Sequence, residues 1–134
     1  MTTEILYEGN LRTNAIHLQS GTKIETDAPT DNKGLGARFS PTDLVVTALG
    51  TCMLTTMAIK AQSLDIELKN TKALVKKYMG TEPRRIVKIE VEIIFPTDLN
   101  IEEKTKTILE HTARVCPVER SLHPDIKLDI IFKY

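Results

Sequence analysis

The chain contains no tryptophan, and all its aromatic residues together make up only 4% of 134 positions. That scarcity removes the aromatic platforms on which single-stranded nucleic acids stack. An excess of one charge is missing too: 18 basic and 18 acidic residues intermix, and the formal net charge is zero. With neither a basic run nor a basic stripe, no nucleic acid and no membrane is expected as partner. The opening stretch MTTEILYEGN has neither a basic start nor an apolar segment. No signal peptide is read there, and a cytoplasmic location is expected. Cysteine occurs only twice, as Cys52 and Cys116. In a reducing compartment a structural disulfide is not expected, which leaves thiols that are free, metal-bound or catalytic. Structural zinc needs four ligands, and no CxxC or HxxxH spacing supplies them.

What is present fits one domain, residues 1–134, long enough for a core of its own and 41% hydrophobic. The residues read as strands, helix, strands, helix, strand. Glu4 to Tyr7, Leu11 to Leu18 and Thr22 to Thr26 form an N-terminal meander, with turns at Glu8-Gly9-Asn10 and Ser20-Gly21. Residues 27–39, DAPTDNKGLGARF, have no periodicity and read as a loop.

Ser40-Pro41-Thr42-Asp43 opens the first helix with a capping serine, a proline at the first helical position and an acid three residues after the cap. From Leu44 to Ile59 no residue is charged and apolar groups fall on every face, the mark of an enclosed helix. Four threonines, a glycine and a run near sixteen residues argue against a membrane span, which needs about 20. A chain of this size cannot easily surround such a helix, so a homodimer is expected to complete its burial. After Ser63 two strands flank a turn at Gly80-Thr81-Glu82-Pro83. In the second, Ile89, Val91 and Ile93 alternate with Lys88, Glu90 and Glu92. Asn100-Ile101-Glu102-Glu103 starts a second helix, whose stripe carries Ile101, Thr105, Ile108, Thr112 and then Val115 or Cys116. Cys116 is placed at the end of its buried face. Ile126, Leu128, Ile130 and Phe132 alternate in a last strand. Grouped rather than alternating elements make the class α+β.

The segments SPTDLVVTALGTCM and HTARVCPVERSL resemble the two cysteine motifs of the OsmC/Ohr family, the osmotically inducible protein C-like and organic hydroperoxide resistance proteins. The separation of 64 residues from Cys52 to Cys116, and the order of elements over essentially the whole chain, are similar to that family as well. The resemblance implies an OsmC-like fold, with antiparallel sheets packed around two central helices in an intertwined homodimer. It implies a cofactor-free peroxidase for organic hydroperoxides. Cys52 would be the attacking thiolate and Cys116 the resolving thiol, with a lipoyl-type dithiol as reductant. An unresolved sulfenic acid over-oxidises, so a second thiol close by suits that chemistry.

A thiol in an apolar helix needs a cation to ionise. The family's activating arginine matches Arg12, with Arg38 as the local competitor. The glutamate that holds it in the family falls on Thr42 here, a departure from the pattern. Asp43, nine residues before Cys52, lies on the opposite side of the helix and reads as a cap. Glu119 is a candidate replacement. Met53, Leu54 and Met57 could line an apolar approach to Cys52, or belong to the core. His17, His111 and His123 share no ligand spacing. A second reading is a redox-sensing or small-ligand-binding module on the same fold without turnover. Thr42 favours it, whereas the paired cysteines favour the enzyme.

Overall fold

The computed structural model describes residues 1–134, which form two compact units, Met1–Val45 and Val46–Tyr134. In the first, strands β1 (Thr3–Gly9), β2 (Arg12–His17) and β3 (Lys23–Asp27) make an antiparallel meander in the order β1-β2-β3. The first turn lies at Asn10 and Leu11, one residue later than the sequence pattern places it, and both have positive φ (52° and 61°). Arg12 therefore opens β2 directly after the turn, opposite Asp27. Asp27 belongs to β3 rather than to the loop. The rest of that stretch holds a 3-10 turn at Thr30–Asn32 and a bridge from Phe39 back to Thr26. No apolar side chain of this unit is among the buried core; its buried residues are Thr26, Asp27 and Ser40. Ile5, Leu6 and Tyr7 are successive in β1, so they point to alternate faces, and all are exposed.

Helix α1 (Pro41–Gln62) begins at the foreseen capping box. The Asp43 N–H donates to Ser40 Oγ at 3.1 Å, and the Ser40 N–H donates to Asp43 Oδ2 at 2.8 Å. Two orphan donors of the first turn are thereby satisfied, a cap of about 1 kcal/mol. The helix has 22 residues rather than about sixteen, because Pro41, Thr42 and Asp43 precede the uncharged run and Lys60, Ala61 and Gln62 continue it. By length and composition alone it could cross a membrane. The chain does not enclose it on every face, as its composition had implied. Val46, Leu49, Gly50, Met53, Met57 and Ala61 form a buried stripe at helical spacing, while Val45 and Ile59 are exposed.

In the second unit, β4 (Lys72–Gly80) and β5 (Arg85–Ile94) form the expected hairpin, and β6 (Lys127–Lys133) lies beside β5. The β5–β6 pairing is parallel. This corrects the expectation of purely antiparallel sheets. The chain returns to β6 through α2 (Glu103–Ala113) and α3 (Pro117–Ser121), and a helical crossover permits a parallel neighbour. Ile89, Val91 and Ile93 are fully buried, as their alternation requires, and share one core with Leu49, Met53, Met57 and Leu109. Each such side chain contributes on the order of 1.5–3 kcal/mol, an upper estimate. At Gly50 the helix packs tightly on the sheet, and an added Cβ would lie 2.9 Å from Val75 Cγ1.

Helix α2 departs from its expected face. Ile101, Leu109 and Ala113 are buried, with Thr105 part-buried on the same four-residue spacing, whereas Ile108 and Thr112 are only part-buried. Its cap residue is Glu102, without a side-chain capping bond, rather than Asn100. Helix α2 ends at Ala113, so Cys116 does not close it. Cys116 is the N-cap of α3, with Pro117 at the first helical position. It is nonetheless fully buried, as its apolar neighbours suggested.

Candidate functional site

The second unit holds both thiols. Cys52 lies at the centre of α1 and is half-buried; Cys116 is wholly buried; both are free. The Cys52 side chain neighbours Cys116, close enough to raise the proton affinity of that thiol. The fold thus joins the two positions that the sequence holds 64 residues apart. Two elements do this. The stripe of α1 fixes the helix on the core, and Pro117 stops α2 from running on, so that residue 116 turns inward at the start of α3.

The two sulfurs have different surroundings. Cys116 Sγ accepts the Glu119 N–H at 3.5 Å. Burial pushes the Cys116 thiol up from its ordinary value. The Glu119 N–H opposes that rise, the neighbouring Cys52 adds to it, and the Val118 N–H again opposes it. Thr56 Oγ1 lies 4.0 Å from the Cys52 sulfur. The Thr56 hydroxyl donates to the Cys52 carbonyl oxygen at 2.7 Å, so towards the sulfur it offers a lone pair rather than a proton. Met53 and Met57 are fully buried in the core and cannot line an approach to Cys52; Leu54, part-buried, remains able to. A concavity of about 850 Å³ in this unit includes Leu74, Glu90, Arg114 and Ile131 in its lining and neither cysteine.

The first unit holds the two candidate arginines. Arg12 donates from Nε to Asp27 Oδ1 at 2.7 Å and from Nη2 to Asp27 Oδ2 at 2.9 Å. This is the bidentate fork that suits guanidinium and carboxylate geometry. Asp27 also accepts the Ala37 N–H at 3.1 Å and is 2% exposed. Hydrogen bonding to Arg12 holds the Asp27 carboxyl below its usual range, although desolvation opposes this. Arg38 instead pairs with Glu25 at 2.7 Å, and both are largely exposed. Asp27 is the residue that sequence reasoning missed. The pattern put it in a loop, whereas strand register sets it opposite Arg12. The only available signal was an acid at the end of a strand, which is weak.

Of the remaining candidates, Asp43 is the capping acid, and the Thr42 hydroxyl is 3.1 Å from Ser40 Oγ in the same cap. The contact of Glu119 with Cys116 is made by its backbone N–H. His17 Nδ1 lies 2.7 Å from Ser20 Oγ, and His123 Nδ1 lies 3.7 Å from Asp125.

Comparison with known proteins sets these features in a family. The family model described as OsmC-like protein matches residues 31–131. A putative osmotic stress induced and detoxification response protein from Psychrobacter arcticus shares 46% identity and superposes with a TM-score of 0.94, over 98% of this chain and 95% of that one. An organic hydroperoxide resistance protein OsmC from Legionella pneumophila has a TM-score of 0.78 at 14% identity, over 100% of this chain and 98% of its own. An organic hydroperoxide resistance protein from Elizabethkingia anophelis has a TM-score of 0.75 at 14% identity, covering 99% and 96%. At such identities the last two share the fold. No curated protein matches the sequence. The motifs at Cys52 and Cys116, the α+β architecture of helices and two small sheets, and the matched family model agree: this chain belongs to the OsmC-like family.

Proposed function

We propose that this protein is a thiol-dependent peroxidase that reduces organic hydroperoxides in the cytoplasm, with Cys52 as attacking and Cys116 as resolving cysteine. One observation carries the reading: two free thiols from separate elements are neighbours, one half-buried and one sealed in the core. The accessible Cys52 thiolate attacks the terminal oxygen of the hydroperoxide, the O–O bond breaks, and the alkoxide takes a proton to leave as an alcohol. Cys52 is left as a sulfenic acid. Cys116 then attacks the Cys52 sulfur, water departs, and a disulfide forms before further oxidation can occur. A dithiol restores both thiols, and no cofactor enters the cycle. The relatives named for organic hydroperoxide resistance have the same fold, which supports this chemistry by likeness.

Arg12 is the proposed cation for Cys52. Supporting it over Arg38 is its anchor: a two-point bond to a nearly buried carboxylate, against a single-point pairing of Arg38 with the more exposed Glu25. Asp27 supplies the acid that position 42 lacks. A homodimer is part of the proposal. The N-terminal meander has apolar side chains exposed on both faces and no apolar core, and a three-stranded sheet needs a covered face to be stable. Sedimentation is expected to give twice the chain mass of 15.0 kDa.

The test is consumption of cumene hydroperoxide in the presence of a dithiol, comparing wild type with Cys52→Ser. Peroxide loss no faster in wild type than in the variant refutes the enzyme. Reversible disulfide formation without turnover would then support the redox-sensing reading, which the uncharged Thr42 favours.

A further inference from the structure

The environments of the two sulfurs also bear on how the oxidised protein is reduced. Thiol–disulfide exchange proceeds by attack along the S–S axis, from the side opposite the departing sulfur, and depends on access to the attacked atom. Cys116 is wholly buried, so the axis that runs from Cys52 through Cys116 continues into the core. The opposite axis, from Cys116 through Cys52, ends at the half-exposed residue. The hydrogen-bond partners point the same way. Cys116 Sγ has the Glu119 N–H to receive negative charge, whereas Thr56, 4.0 Å from Cys52 Sγ, has its proton committed to a carbonyl.

We propose that a reducing dithiol attacks the Cys52 sulfur of the disulfide, and that Cys116 is the leaving thiolate, received by the Glu119 N–H. The inference rests on Cys52 and Cys116 forming a disulfide, as the proposed function requires. In the first step the reductant thiolate forms a bond to Cys52 Sγ, the Cys52–Cys116 bond breaks, and its electron pair stays on Cys116. That sulfur then takes up the proton that the dithiol has lost to solvent. In the second step the other thiolate of the reductant attacks the reductant's own sulfur in the mixed disulfide and expels Cys52 as thiolate. The dithiol is oxidised to a disulfide, and the protein regains two thiols. Burial raises the proton affinity of Cys116, which slows its departure. Access decides the direction despite that cost, because a sulfur in the core offers no path for in-line attack.

The experiment uses the full-length wild-type protein oxidised with diamide, so no peroxide turnover is needed. A brief exposure to limiting N-acetylcysteine, an acid quench and alkylation of free thiols with N-ethylmaleimide are followed by peptide mass mapping. The expected result is N-acetylcysteine on the Cys52 peptide and maleimide on the Cys116 peptide, in about tenfold or greater excess over the reverse pattern. Adduct mainly on Cys116, or equal amounts on both, overturns the proposal. So does failure of diamide to form the disulfide. Adduct on Cys52 in a protein that does not consume cumene hydroperoxide would sink the peroxidase reading and leave this one standing. Peroxide consumption with adduct on Cys116 would do the opposite.

Discussion

Gly50 lies two residues before Cys52 on α1 and faces Val75 and Ala73 of strand β4. Replacing it with alanine sets two effects against each other. Glycine in a helix interior costs about 1 kcal/mol relative to alanine, so Gly50→Ala gains about that much in propensity. The new Cβ, however, would sit 2.9 Å from Val75 Cγ1 and 3.6 Å from Ala73 Cβ. The first distance is below any ordinary carbon–carbon contact. The atom it meets is a methyl on a β-branched strand residue, which cannot swing away as a long side chain would. Overpacking of this kind costs about 1–3 kcal/mol. The net expectation is a loss of about 1 kcal/mol. In a Val75→Ala background the clashing methyl is gone, and Gly50→Ala should instead stabilise by up to about 1 kcal/mol. Urea denaturation of the four proteins of this cycle measures the effect, as a change in midpoint at constant slope. The coupling between the two positions should be about 1–3 kcal/mol. Equal stabilisation by Gly50→Ala in both backgrounds would refute the claim that close approach to β4 dictates glycine here. Because the displaced helix carries Cys52, disulfide formation with Cys116 should slow in Gly50→Ala and recover in the double variant.

Three further outcomes are expected. Ser40→Ala and Asp43→Ala should each lower stability by about 1 kcal/mol, and the double variant by less than the sum, since the two side chains complete one capping box; thermal melts measure this. The Asp27 carboxyl is held below its unfolded value, so its contribution to stability is full above the unfolded value, near pH 4, and is lost as pH falls through the folded one. Acid titration of Asp27→Asn should therefore show a flatter decline in stability below that pH than wild type, and a decline of equal steepness would refute the assignment. Cys116→Ser treated with excess hydroperoxide should accumulate sulfinic and sulfonic acid on Cys52 by mass spectrometry, where wild type stops at the disulfide.

Where the interactions are local, the chain could be read directly. The alternation of Ile89, Val91 and Ile93 is a property of neighbouring residues in an extended chain, and all three are buried. The capping box spans four residues, and both its hydrogen bonds form. The two cysteine motifs are short and contiguous, and with the order of elements they carried the family. The stripe of α2 was harder. Ile108 and Leu109 are adjacent apolar residues, and only the packing of the helix chose Leu109 for the core.

By itself, then, the sequence determined the strands and the two longer helices, the cap of α1, the α+β class and the two cysteine motifs that mark the family. Each of these depends on residues within a few positions of one another, where backbone geometry leaves few alternatives. The tertiary structure decided what depends on contacts between distant segments. It laid β6 parallel to β5, set Asp27 against Arg12 and turned Cys116 into the cap of α3. It also made the two sulfurs unequal, one reachable and one sealed, because burial is a property of everything that packs around an atom and not of the residue that bears it.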